Sequence, residues 1–193
     1  MKKASELFDN LKLTNQQKYI INIAGKIGRE KLAPRAAKID REAINPMNNY
    51  DDLRECGIHR MCVPERFGGL GHNFATYMMV SSELGRHCGA TALSFNMHAS
   101  TTLWIGDMVD KLDLEKEQKQ EMENLRRNHY RKIVDDGALY AQTFSEGNTA
   151  AAGKKPFSTT AKKVDGGWIL NGRKIFASLS GAATHYGILC TEE

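Results

Sequence analysis

What these 193 residues lack narrows their role before any motif is considered. No uninterrupted apolar stretch is long enough to span a bilayer, and the first residues carry no signal h-region, so a soluble protein of the cytoplasm is expected. The four cysteines, Cys56, Cys62, Cys88 and Cys190, form no C-x-x-C pair and no disulfide-like framework, which fits reduced thiols. Cys56, His59 and Cys62 recur at every third residue, but Gly57 breaks the helix that would align them and no fourth ligand follows, so no metal is expected. There is no G-x-G-x-x-G, and no Ser-His-Asp or Cys-His spacing rises above chance. Charge of one sign is also scarce. The net +4 is spread through mixtures such as Lys116 to Arg131, which argues against nucleic acid, gives mild support to an anionic ligand, and reads most simply as a solvated helix face.

Helical spacing fills the chain up to Asp136. Thr14-Asn-Gln-Gln17 is a capping box, and Ile20, Ile23, Ala24 and Ile27 then make one buried stripe that ends before Pro34 or shortly beyond it. Asn48 or Asn49 caps a shorter helix through Leu53, which Gly57 terminates. The glycines from Phe67 to Gly71 lack the strand-to-helix context of a phosphate loop and serve a chain reversal instead. Helices follow over Phe74 to His87 and Ala90 to Met108, the second so poor in polar residues that it belongs at the centre. His98 and Ser100 lie on it; a lone imidazole there is either hydrogen-bonded structure or a group facing a ligand cavity. Leu114 to Asp136 is long, charged and helical.

After Gly137 the period changes. Strands are expected around Ala138–Thr143, Thr159–Val164, Gly167–Asn171, Lys174–Ala177 and Tyr186–Cys190, joined by Asp165-Gly-Gly and Asn171-Gly turns, as in an antiparallel meander or barrel. Two polar, aromatic-bearing clusters stand out here: Tyr140-Ala-Gln142-Thr143-Phe-Ser145-Glu146-Gly147-Asn148 and Asn171-Gly172-Arg-Lys174-Ile-Phe176-Ala-Ser178. Strand ends that offer hydroxyls together with a flat ring suit a planar heteroaromatic ligand with polar edges, and a flavin is such a ligand.

The order of these pieces resembles the acyl-CoA dehydrogenase family. Pro64-Glu65-Arg66-Phe67-Gly68-Gly69-Leu70-Gly71 looks like its P-E-x-x-G-G-x-G loop, and Asn171-Gly172-Arg173-Lys174 like its N-G-x-K turn. The resemblance covers essentially the whole chain, yet only about the first half of a family member. It implies an α+β fold: an all-α helical domain at 1–136, then at 137–193 the first part of an antiparallel β-barrel domain, without the family's C-terminal helical domain. Leu114 to Asp136 departs from the family's usual shorter connection and is expected to project.

Carried over by position, the resemblance places Tyr140, Gln142 and Thr143 at the pyrimidine side of FAD, Phe176 against its ring system, and the Ser178 hydroxyl near N5. Most members carry Trp and Thr at the last two positions. The residue-level alternative is that Phe176 is plain core and Ser178 a surface turn. Where the family has T-E-P-x-x-G-S-D, this chain has Thr143-Phe-Ser145-Glu146-Gly147-Asn148-Thr149. Ser145, Asn148 or Thr149 is therefore the candidate for the substrate or diphosphate contact, with His98 a further substrate-side candidate. The implied activity is α,β-dehydrogenation of an acyl-CoA thioester in fatty acid metabolism, by a homo-oligomer that passes electrons to an electron-transfer flavoprotein. The family's base is a carboxylate of the C-terminal domain, so no catalytic residue is assigned in this chain. A reduced-flavin-dependent monooxygenase of the same architecture, or a truncated binding or subunit module, are the alternatives.

Overall fold

A computed structural model describes residues 4–8, 10–108, 110–147, 153 and 155–193. Helix α1 (Asn15–Ile27) starts where its capping box requires: the Gln17 amide donates to Thr14 Oγ1 at 3.2 Å and the Thr14 amide to Gln17 Oε1 at 3.0 Å. Its stripe buries Ile20, Ile21 and Ala24. A π-helical turn, Gly28–Leu32, carries the chain straight into α2 (Ala33–Glu42). Pro34 does not stop it, because it falls in the first turn of α2, where a missing N–H costs little.

Helix α3 (Met47–Glu55) begins at Pro46, ahead of the expected asparagine cap. Asn49 is fully buried within it, accepting from Arg35 at 2.9 Å and donating to Thr91 Oγ1 at 2.8 Å. The glycine-rich loop reverses the chain onto residues 60–63: the Gly71 amide donates to Val63 O and the His72 amide to Met61 O, both at 2.9 Å. The approach is so close that a Cβ on Gly69 would lie 2.0 Å from Val63 O, which only glycine permits.

Helices α4 (Phe74–Gly85) and α5 (Gly89–Leu103) pack together over the core, with Leu84, Phe95, Ala99 and Leu103 buried. Helix α6 (Lys116–Asp136) does not project along its whole length. Its second half is anchored by Tyr130, which donates to Thr102 O at 3.2 Å, and by Arg126, whose guanidinium meets Gly106 O, Asp110 and Glu123. It ends at Gly137, in the left-handed region at φ 64°, whose carbonyl accepts from Arg54 Nε at 2.8 Å.

The strands are β1 (Tyr140–Thr143), β2 (Thr160–Val164), β3 (Gly167–Asn171), β4 (His185–Ile188) and β5 (Thr191–Glu192). The expected antiparallel barrel does not form among the described residues. There are two small sheets: β1 paired in parallel with β4, and β3-β2-β5, in which only the β2–β3 hairpin is antiparallel. Lys174–Ala177, expected as a strand, is irregular because its polar groups turn to other partners: the Ile175 amide bonds Ser145 O at 2.8 Å and the Lys174 ammonium bonds Phe144 O at 3.3 Å. The change from helix to strand falls at Gly137, yet Leu139, Ala141, Leu179 and Ala182 join the same buried cluster as the helices.

Candidate functional site

Helix α5 lies along β1, and the two polar clusters meet beyond the end of that strand. The seam is fixed by His98, whose side chain has no exposed surface. The Tyr140 amide donates to His98 Nδ1 at 3.2 Å, so the ring proton resides on Nε2, which lies 2.6 Å from His59 O and donates to it. Burial pushes His98 down to about 4, with the carbonyl of His59 opposing and the His59, His129 and Arg54 charges adding to the shift. Both nitrogens being taken by backbone, His98 has the hydrogen-bonded structural role and offers no nitrogen to a substrate.

Tyr140 is itself packed in imidazoles. Its ring stacks on His185 at 4.9 Å and 20° and lies 4.2 Å from that of His129. Burial, with His185 and Lys132 beside it, lowers His129 to about 4. Gln142 faces α5, its Oε1 accepting from Ser100 Oγ and Thr101 Oγ1, both at 3.4 Å. Thr143 is buried and donates to Gly187 O at 3.3 Å, which leaves its acceptor lone pairs for a ligand N–H. Beyond it, Phe144 meets the edge of Trp104 at 5.8 Å, and Trp104 is 40% exposed.

The second cluster is joined to the first at this end of β1. The Ile175–Ser145 bond sets the two segments side by side, and Lys174 reaches Glu146 at 2.7 Å. Phe176 follows, 80% exposed, so it is not core; Ser178 is half-buried. Tyr140, Gln142, Thr143 and Ser145 thus form one line, with the segment bearing Phe176 and Ser178 tied to its end. Asn148 and Thr149 lie outside the described residues. The open hollow of about 450 Å³ shaped by the strands is lined by Trp168, Leu170, Tyr186 and Ile188, not by Thr143 or Ser178.

The residues fit a flat, polar-edged group in two respects. Among the described residues β1 has a strand partner, β4, on one edge only, and an exposed aromatic ring stands in the segment bonded to its end. Sequence reasoning missed His129 and His185 as the partners of Tyr140, and Glu146 as the partner of Lys174. No local spacing signals any of the three, since each contact is long-range. Among the described residues no group of three His, Cys, Asp or Glu side chains could hold a metal ion; at Cys56, His59 and Cys62, the Cys56 thiol donates instead to Leu53 O at 3.6 Å.

A family model described as "Acyl-CoA dehydrogenase, N-terminal domain" matches residues 14–122. Mitochondrial isovaleryl-CoA dehydrogenase of Arabidopsis thaliana is 28% identical over 177 residues, covering 91% of this chain and 39% of that protein. Butyryl-CoA dehydrogenase from Megasphaera elsdenii superposes with a TM-score of 0.69 at 25% identity, covering 92% and 44% of the two chains. TdsC from Paenibacillus sp. A11-2, a dibenzothiophene monooxygenase solved with FMN bound, gives a TM-score of 0.72 at 19% identity over 91% and 40%, a likeness of fold alone. The chain spans about two fifths of the length of these proteins.

Proposed function

The chain belongs to the acyl-CoA dehydrogenase family, and on that premise we propose that it forms the flavin-holding part of an oxidoreductase acting on acyl-CoA thioesters. The observation that carries this is the bond from the Ile175 amide to Ser145 O, which brings the two polar clusters together at the end of β1. When bound, a flavin, FAD in this family, supplies the two-electron acceptor for α,β-dehydrogenation. In this reading the residues of the chain hold and orient. The open edge of β1 at Gln142 and Thr143 meets the polar rim of the ring, Phe176 covers its face, and Ser178 adds a hydroxyl donor. Ser145 is the described candidate for the substrate side, and His98 serves by fixing α5 against β1.

No catalytic base is assigned to these residues. Glu146 is a carboxylate close to the clusters, but two backbone amides and the Lys174 ammonium hold it far below the usual carboxylate range, and so weak a base cannot take an α-proton. Electron transfer to a flavoprotein partner and self-association belong to the same proposal. One feature favours a second reading. After Thr143, Phe144-Ser145 stand where the family's T-E-P pattern has Glu-Pro, and TdsC, of like fold, is a monooxygenase.

Titration of the purified protein with oxidised FAD and with reduced FMN separates the two. Tight uptake of oxidised FAD, bleached on adding an acyl-CoA, is the expected result. Preference for reduced FMN transfers the assignment to the monooxygenase, and uptake of neither overturns both.

A further inference from the structure

The strands leave one charged pair almost sealed from water. Glu146 and Lys174 lie 2.7 Å apart with side-chain exposures of 2% and 9%. A buried pair is stable only if its remaining hydrogen-bonding capacity is met, and here it is. Glu146 Oε2 accepts from the Ser158 amide at 2.6 Å, and Oε1 from the Thr159 amide at 2.8 Å as well as from Lys174. The ammonium also donates to Phe144 O at 3.3 Å and lies over the Phe157 ring at 4.0 Å. One carboxylate therefore gathers three separated stretches of chain: its own at the end of β1, the entry to β2, and the segment leading to Phe176.

We propose that Glu146 is the positioning residue of the flavin site, holding the Lys174–Ser178 segment against the end of β1 by acting as a three-way acceptor. This rests on the flavin reading above and adds to it the device that sets the two clusters in place. The bond it secures is the one from the Ile175 amide to Ser145 O. Leu179, buried in the core, holds the far end of this segment, but at its Lys174 end the exposed Phe176 contributes little burial and the bonds to Glu146 are the strong ones. The role demands an acceptor and not merely a charge, because a lysine at 146 could not receive the Ser158 and Thr159 amides.

The test is amide hydrogen exchange of the 193-residue chain carrying Glu146→Gln, Lys174→Met, or the reversed pair Glu146→Lys with Lys174→Glu. The Ile175 amide is the reporter, and the His185 amide, bonded to Leu139 O at 3.1 Å in the core seam, is the control. The expected result is exchange at Ile175 faster by roughly tenfold or more in Glu146→Gln, with His185 unchanged and no recovery in the reversed pair. Unchanged exchange at Ile175, or recovery on reversal, overturns the proposal. Should Glu146→Gln lose protection at His185 as well, Lys174→Met is judged by the same criterion. FAD titration of the same proteins adds a second arm: uptake weakened roughly tenfold or more in Glu146→Gln is expected, and unchanged uptake overturns the proposal. Failure of the unsubstituted chain to take up FAD overturns the function proposed above, while the exchange data still decide the role of Glu146.

Discussion

The helices and the strands of this chain are held by different means. In the helical region side chains such as Tyr50, Leu53, Ile58 and Leu84 have no exposed surface, and Asn49 among them is paired with Arg35 and Thr91. In the strand region every residue of β3 is exposed, with Trp168 at 49% and Ile169 at 58%, while order rests on ladder bonds, the Thr184 bridge to Leu139 and the Glu146–Lys174 pair. The face of β3 is thus open, while β1, with Tyr140, Ala141 and Thr143 buried, shares the cores of the helices, and the bonds that single substitutions can release lie beyond its end, at Glu146, Lys174 and Ile175. The largest expected effect follows directly. Leu84→Ala opens a cavity in a close-packed core and costs about 2–5 kcal/mol, read by urea unfolding. A cost below about 1 kcal/mol would mean that the helical core is looser than this comparison requires.

Legibility in the sequence divides along the same line. The start of α1 could be read because Thr14 and Gln17 answer each other within one turn, and the β2–β3 hairpin because Asp165-Gly-Gly fixes its register locally. What could not be read is long-range. The β1–β4 pairing starts at Tyr140 and His185, beside a Leu139–Thr184 bond between residues 45 apart, and runs in parallel, which no turn signal encodes. The packing of α6 depends on Tyr130 reaching Thr102 O, a contact that neither its composition nor its departure from the family's shorter connection signals, so a projecting helix was expected. Lys174–Ala177 alternates like a strand, yet its Ile175 amide bonds Ser145 O in a distant segment, a contact that alternation does not encode. At the candidate site the line Tyr140–Thr143 was legible as a strand, while the histidines packed around Tyr140 and the acceptor role of Glu146 were not.

The boundary between the two regions is expected to be acid-sensitive, a smaller effect than core truncation. His98 and His129 are both lowered from 6.5 to about 4, so each is neutral in the folded chain and takes up a proton more readily once unfolded. Between those values the unfolded state binds more protons, and stability rises with pH. It is fully present above the ordinary histidine value and is lost as pH falls toward 4, by up to about 1.4 kcal/mol per pH unit for each imidazole. His59 and His72, also lowered by burial, act in the same direction. Urea unfolding at a series of pH values across this window measures the slope. His129→Gln, which removes one of the two strongly shifted groups, is expected to flatten it, and an unchanged slope would place the acid sensitivity elsewhere.

The smallest effect belongs to the open face. Leu170, at 47% exposure on β3, gives up little burial on replacement, so Leu170→Ser is expected to change stability by no more than about 0.5 kcal/mol, where Leu84→Ala costs several times that. The two substitutions test the comparison as a pair because each removes a leucine, one from a sealed site and one from an open face. Leu170 shares its hollow with Trp168, Tyr186 and Ile188, an apolar lining that a second surface could seal. If Leu170→Ser proved as costly as Leu84→Ala, and the cost grew with protein concentration, this face would be covered in solution by another copy of the chain. The contrast between a sealed helical core and an open strand face would then describe a single chain but not its associated form.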